Sequence, residues 1–108
     1  MQTIAHESGK KTISVKDDLV EDMKFIVMKT IDSVKKKLDP NKRNGCFEIL
    51  GYDFMIDNDF TVWLIEVNTN PCLDESSYLL RRLLPRMIDD AFKLTIDRDF
   101  QSPLQQYK

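Results

Sequence analysis

The chain has few of the residues that build disulfide scaffolds, catalytic triads or phosphate loops. Its 108 residues include two cysteines, three glycines and one histidine. Two cysteines do not make a disulfide scaffold, so we expect Cys46 and Cys72 to be free thiols in a reducing cytoplasm. No glycine-rich phosphate loop is present, and no serine or cysteine stands near the histidine in a triad pattern.

The chain also lacks a block of one charge and a long hydrophobic run. Its formal net charge is −2, and basic and acidic residues are mixed along the sequence. Nucleic-acid-binding tails are runs of basic residues, and a membrane-spanning helix needs about 20 apolar residues. We therefore expect neither nucleic-acid binding nor membrane insertion.

A first amphipathic helix is predicted in the N-terminal half. Apolar residues recur at helical spacing from Leu19 to Leu38. Asp17 or Asp18 can cap its N-terminus, and the following Asp39-Pro40 step ends it because proline disfavours helical conformation in the residue before it.

A second helix is predicted near the C-terminus. Ser76 or Ser77 can cap it, and its apolar face extends to Phe92. Pro85 lies inside this pattern, where its ring would clash with a carbonyl of the preceding turn. We expect a kink, or two short helices with Pro85 in the first turn of the second.

Between the helices, three oxygen-bearing side chains lie within apolar, β-branched and aromatic runs typical of two strands. They are Asp53, Glu66 and Asn68. Ionised carboxylates are rarely buried unless they are paired or bind a metal. Glu66 and Asn68 are two residues apart and point to the same face of a strand.

The position of Asp53 relative to Glu66 depends on the loop between the strands. A two-residue loop at Asn58–Asp59 places Asp53 opposite Leu64, diagonal to Glu66 on the same face. A three-residue loop would place Asp53 on the other face, because a slip of one residue reverses every side chain. We expect the two-residue loop.

Two carboxylates and an amide oxygen on one face suit Mg²⁺, unlike the thiolate and imidazole ligands that Zn²⁺ prefers. The alternative is that Asp53 and Glu66 are solvated or paired with a lysine or arginine at a strand end. Spacing alone does not separate these interpretations, since an Asp followed by Glu-x-Asn is a weakly specific pattern.

The identities of the residues around these three positions indicate a protein family more specifically than their spacing does. The segments 46–57 (CFEILGYDFMID) and 62–71 (VWLIEVNTNP) resemble the last catalytic segment of tubulin tyrosine ligase-like enzymes, which are ATP-grasp ligases. The resemblance covers residues 24–100. It implies that Asp53, Glu66 and Asn68 bind the Mg²⁺ ions that bridge the phosphates of ATP.

The resemblance also implies an activity, namely ATP-dependent addition of an amino acid to a protein carboxylate through an acylphosphate. The acceptor would be tubulin or another acidic protein tail, modified by tyrosination, glutamylation or glycylation with a free amino acid. A cytoplasmic protein associated with microtubules or cilia is expected. The alternative is a truncated, non-catalytic module that binds tubulin or another partner.

The expected fold is α+β, an antiparallel hairpin packed with flanking helices as part of an ATP-grasp C-terminal lobe. We expect a polar, disordered leader at residues 1–14, the ligase segment at 15–100 and a tail at 101–108. A complete ATP-grasp enzyme clamps ATP between two lobes, and 108 residues fit one domain. We therefore expect the chain to be only the C-terminal part of such an enzyme.

Basic residues cluster at 35–37, at 42–43, and at Arg81, Arg82 and Arg86. Such clusters usually solvate a helix face. The functional alternative is a surface for acidic protein tails, and the arginines suit it best because arginine binds carboxylates in bidentate fashion.

Overall fold

The computed structural model of the chain describes residues 3–5 and 12–100, so the predicted tail at 101–108 lies outside the described residues. The expected α+β class is confirmed. The elements are β1 (Thr3–Ala5), β2 (Thr12–Ser14), α1 (Val20–Leu38), β3 (Gly51–Ile56), β4 (Val62–Asn68), α2 (Tyr78–Leu94) and α3 (Ile96–Asp99). No described helix is long and apolar enough to cross a membrane.

The described residues form two compact units. The first comprises the residues up to Lys42 together with Leu50–Thr69, and the second comprises Arg43–Ile49 together with the residues from Asn70 onward. The predicted metal ligands lie in the first unit, and the three arginines lie in the second.

Part of the expected N-terminal leader is ordered. Strands β1 and β2 pair antiparallel, with Thr3 opposite Ser14, so the predicted disorder of residues 1–14 is wrong for these two stretches. Ile13 is buried together with Leu19 and Val62. A strand within the polar segment thus supplies one of the few buried residues of the first unit. The predicted boundaries at residues 14 and 100 stay a prediction.

The first helix is capped three residues earlier than predicted. The Ser14 hydroxyl accepts a hydrogen bond from the Asp17 amide at 3.2 Å, and Asp18 Oδ2 accepts one from the Ser14 amide at 2.9 Å. This reciprocal arrangement satisfies two amide donors at the start of a π-helical turn, Val15–Leu19, which leads into α1. Helix α1 ends at Leu38, as predicted.

The β3–β4 hairpin packs one face against α1. Val62 is buried, and Phe54 packs against the same core, as do Met23 and Ile26 of α1. The Tyr52 and Thr30 hydroxyls are joined by a hydrogen bond of 2.8 Å that links β3 to α1. The opposite face of the hairpin is exposed.

The loop that joins the two strands has three residues, so the predicted two-residue loop is wrong. The Phe60 amide donates to the Asp57 carbonyl at 3.0 Å, and the Asp57 amide donates to the Thr61 carbonyl at 3.1 Å. Phe60 has a φ of 60°. A turn followed by one left-handed residue is a common three-residue hairpin loop, but glycine usually holds that position. Phe60 instead packs against the core. The sequence therefore lacks the glycine that would have indicated a left-handed residue in this turn.

The Asp57 side chain stabilises the same loop. Its carboxylate accepts hydrogen bonds from the Trp63 indole at 2.8 Å, the Thr61 amide at 2.8 Å and the Asp59 amide at 3.0 Å. These hydrogen bonds hold the pKa of Asp57 below its ordinary value of 3.8, because they favour the charged form. The bond from the Trp63 indole has the largest effect, and those from the two amides add to it.

In the second unit, α2 is a single helix of 17 residues that contains Pro85. The alternative of two short helices is therefore wrong. Pro85 cannot donate a hydrogen bond to the carbonyl of Arg81, but both residues are exposed, so water can bind that carbonyl. The Ser77 hydroxyl accepts from the Leu80 amide at 3.2 Å, which confirms Ser77 as the N-cap.

We predict that Phe60→Gly leaves a higher free energy of unfolding than Phe60→Ala, by about 1 kcal/mol, because a left-handed conformation costs about 1–2 kcal/mol in residues other than glycine. Met55, in the regular part of β3, is the control position. There alanine should be more stable than glycine by about 0.5–1 kcal/mol. Urea unfolding followed by circular dichroism measures all four variants. The same order at both positions would contradict the left-handed loop.

We also predict that the contribution of Asp57 to stability depends on pH. Because the pKa of Asp57 is lowered by folding, the contribution is present above the unfolded value of 3.8 and is lost as the pH falls through the folded value. Asp57→Asn should therefore destabilise the chain at about pH 7 and weaken its acid dependence between about pH 5 and pH 2. Unfolding followed by the fluorescence of Trp63 measures both effects.

Asp59→Asn is the matched control for this change, because the Asp59 carboxylate accepts no hydrogen bond from the described residues. An equal effect of the two substitutions on the acid dependence would show that the hydrogen bonds to Asp57 do not stabilise the loop.

Candidate functional site

The hairpin brings the three predicted metal ligands to one face. Asp53 pairs directly with Glu66, and Asn68 pairs with Gly51. Phe54 pairs with Leu64, so Ile65 is an extra residue on β4. This β-bulge shifts the register by one between the two halves of the hairpin.

The bulge reverses the consequence of the loop length. A three-residue loop alone would place Asp53 and Glu66 on opposite faces. The extra residue Ile65 shifts the pairing once more and returns Asp53 to the face of Glu66. The predicted common face is thus present, but the predicted partner of Asp53, Leu64, is wrong.

The three side chains are exposed, so the burial cost from which the sequence argument for a metal started does not apply to them. Asp53, Glu66 and Asn68 all lie on the face of the hairpin that points away from α1, and no polar or charged side chain is buried among the described residues. A metal is therefore not needed to offset burial. The argument for a metal depends on the ligand set and its geometry.

The ligand set fits a hard cation. The Asn68 amide nitrogen donates a hydrogen bond to Glu66 Oε1 at 3.2 Å, so the amide oxygen of Asn68 is left to accept other interactions. Among the described residues, no group of three or more His, Cys, Asp or Glu side chains is placed to hold a metal. Two carboxylates and an amide suffice for Mg²⁺ only where phosphate oxygens and water complete its shell.

Apolar side chains lie beside these oxygen atoms. Met55 and Trp63 form the next cross-strand pair on the same face, and both are more than half exposed. The indole nitrogen of Trp63 is held by Asp57. Strand alternation from Asp53 could have placed Met55 on this face. On β4, simple alternation from Glu66 would place Trp63 on the other face, because it does not include the bulge at Ile65.

The structure separates the three arginines predicted to bind substrate. Arg82 and Arg86 line a groove on α2 together with Leu79 and Leu83. Arg81 does not line this groove. Its Nε instead donates a hydrogen bond to the Glu75 carbonyl at 3.3 Å.

The groove itself has a volume of about 230 Å³. One of its walls is the Tyr78 ring, which lies 5.8 Å from the Arg82 guanidinium. The groove therefore combines two cationic groups with apolar walls.

The lysine cluster at 35–37 differs from this groove, because Lys35 forms an ion pair with Asp32 at 2.9 Å.

Several known proteins are similar to the chain, and two of the three described here have tubulin in their names. "Probable tubulin polyglutamylase TTLL9" of Mus musculus is 41% identical over 90 residues, which are 83% of this chain and 18% of that protein. "Tubulin glycylase 3D" of Tetrahymena thermophila is 31% identical over 83 residues, 77% of this chain and 7% of that protein. "Inactive polyglycylase TTLL10" of Homo sapiens is 35% identical over 65 residues, 60% of this chain and 9% of that protein.

The match therefore covers only a small part of each of these relatives. No solved structure matches the chain significantly. The sequence model of the Tubulin-tyrosine ligase family, however, matches residues 2–104. The chain belongs to the tubulin-tyrosine ligase family.

Proposed function

We propose that the chain is the metal-binding segment of an ATP-dependent ligase that adds an amino acid to a carboxylate of tubulin. The observation that carries this proposal is the convergence of Asp53, Glu66 and Asn68 on the exposed hairpin face. Relatives named as a tubulin polyglutamylase and a tubulin glycylase support tubulin as the acceptor. The hairpin packed on α1 would be part of an ATP-grasp lobe.

Asp53, Glu66 and Asn68 would hold Mg²⁺ together with the phosphates of ATP. The metal would neutralise charge on the transferring phosphoryl group. Asp53 and Glu66 would contribute the negative charge that binds the cation. Asn68 would contribute a neutral oxygen and, through its hydrogen bond to Glu66 Oε1, orient that carboxylate.

The proposed reaction has two steps. An oxygen of the acceptor carboxylate attacks the γ-phosphorus of ATP, and ADP leaves, which gives an acylphosphate. The amine of the incoming amino acid then attacks the carbonyl carbon. Phosphate leaves with the electron pair of the C–O bond, the nitrogen loses a proton, and an amide bond is formed. No covalent enzyme intermediate is required.

A non-catalytic binding module is the second candidate. One relative bears the name "Inactive polyglycylase TTLL10", so membership of the family does not by itself establish turnover. Incorporation of labelled glutamate, glycine or tyrosine into tubulin distinguishes the two functions. Incorporation that depends on ATP supports the ligase, whereas tubulin binding without incorporation supports the module.

We predict that the chain binds Mn²⁺, a paramagnetic substitute for Mg²⁺, at the hairpin face in the presence of ATP. Mn²⁺ should broaden the NMR signals of Asp53, Glu66 and Asn68 before those of other residues. Glu66→Gln keeps the shape of the side chain but removes its charge, so it should weaken this broadening. Glu21→Gln makes the same change at an exposed position on α1 and should leave it unchanged.

In a ligase that contains this segment, Glu66→Gln should also lower kcat by roughly 10² to 10³, because about 3–4 kcal/mol of transition-state stabilisation corresponds to that range. Equal broadening by Mn²⁺ in the Glu66→Gln and Glu21→Gln variants would contradict the metal site. Near-normal turnover of Glu66→Gln across a Mg²⁺ titration would contradict its role in catalysis.

We further propose that Arg82 and Arg86 contact the acidic tail of the acceptor. Their double reversal to glutamate should raise the KM for tubulin, and the difference from wild type should shrink at high salt because screening weakens exposed charge pairs. Reversal of Lys36 and Lys37 is the control with the same change in charge. Equal KM values for the two double variants on intact tubulin, or the same increase on tail-cleaved tubulin, would contradict this contact.

A further inference from the structure

An exposed stripe along α2 consists of large apolar residues and two opposite charges. Its members are Leu79, Leu83, Arg86, Asp90 and Leu94, which follow one another at spacings of three or four residues. Leu79 is 69% exposed, Leu83 53% and Leu94 75%. Three such leucines in one line on a helix are typical of a surface that packs against another helix.

The two charges of the stripe, those of Arg86 and Asp90, form no direct ion pair within the described part of the chain, and Asp90 acts on Lys93 only at longer range. Asp89 and Lys93, one turn apart, form an ion pair of 2.6 Å. Arg86 and Asp90 have the same spacing, yet neither has an ion pair or hydrogen bond with a described residue. An acid that precedes a base by four residues on a helix pairs better than the reverse order. Arg86 and Asp90 have the reverse order, which leaves both charges available to a partner.

The groove on α2 has the spacing of a hole in knobs-into-holes packing, in which one side chain inserts between four residues of a facing helix. Leu79, Arg82, Leu83 and Arg86 stand at positions i, i+3, i+4 and i+7 and line this groove. Its two arginines select an acidic knob, and its two leucines select an apolar neighbour. Helix α2 itself carries such a pair, namely Asp90 and Leu94, one turn apart.

We propose that α2 pairs antiparallel with α2 of a second copy of this chain. With a two-fold axis between Arg86 and Met87, Asp90 of the second copy lies opposite Leu83, between Arg82 and Arg86. Leu94 of the second copy lies opposite Leu79, because both are equally far from the axis.

The two-fold axis repeats each of these contacts, so the surface is complementary to itself, as closed dimers require. The pairing does not depend on the proposed ligase function, and it competes with acidic tails for Arg82 and Arg86.

Charge reversal at the two central positions tests the pairing. The wild-type chain should show a monomer–dimer equilibrium in sedimentation experiments over a range of concentrations. Arg86→Glu and Asp90→Arg should each raise the dimer dissociation constant by more than about tenfold, because each places like charges together twice across the axis. Asp89→Arg, at the neighbouring position off the stripe, is the control and should leave the dimer intact.

Complementation supplies the decisive result. In an equimolar mixture of the Arg86→Glu and Asp90→Arg variants, three of the four contacts that position 90 makes with positions 82 and 86 again join opposite charges, so a heterodimer should form, although more weakly than the wild-type dimer. Circular dichroism establishes that each variant is folded. A wild type that stays monomeric, a dimer that neither reversal weakens, or folded variants whose mixture stays monomeric would overturn the proposal.

Discussion

The register of the β3–β4 hairpin is the constraint on which the candidate site depends. The three-residue loop closed by Phe60 would separate Asp53 from Glu66, and the bulge at Ile65 brings them together again. Either irregularity alone would put Asp53 and Glu66 on opposite faces of the hairpin, and the two together put them on the same face. The convergence of the ligands is therefore a property of the loop and the bulge in combination.

Sequence reasoning identified β3, β4, α1, α2 and the common face of the three candidate ligands, because periodicity and alternation are local properties. It did not find the loop or the bulge. A left-handed residue is normally recognised by glycine, and Phe60 gives no such signal. A bulge at a residue such as Ile65 gives none either, because an extra apolar residue in an apolar strand looks like regular alternation. The predicted register was wrong by two compensating steps.

Burial was also misjudged, and for a physical reason. The sequence argument for a metal started from carboxylates placed within apolar strands, where burial would be costly. In the structure only the face of Phe54 and Val62 packs on α1, and Met55 and Trp63 stay exposed beside Asp53 and Glu66. Sequence patterns record which surfaces are apolar but not which element covers them. The exposed carboxylates are consequently solvated, and their capacity to bind a cation does not require a buried charge.

Charge pairing in the chain is mostly local, and this determines which charges remain for binding. Glu21 with Lys24, Asp32 with Lys35, and Asp89 with Lys93 are exposed pairs one helical turn apart. Such exposed pairs contribute little to stability because water and salt screen them, but each occupies two charges that would otherwise be open to a partner. The charges of Asp53 and Glu66 on the hairpin, and of Arg82, Arg86 and Asp90 on α2, form no ion pair with a described residue. Each of these two groups lies beside exposed apolar side chains, and that combination of open charge and apolar surface is what a ligand or partner can recognise.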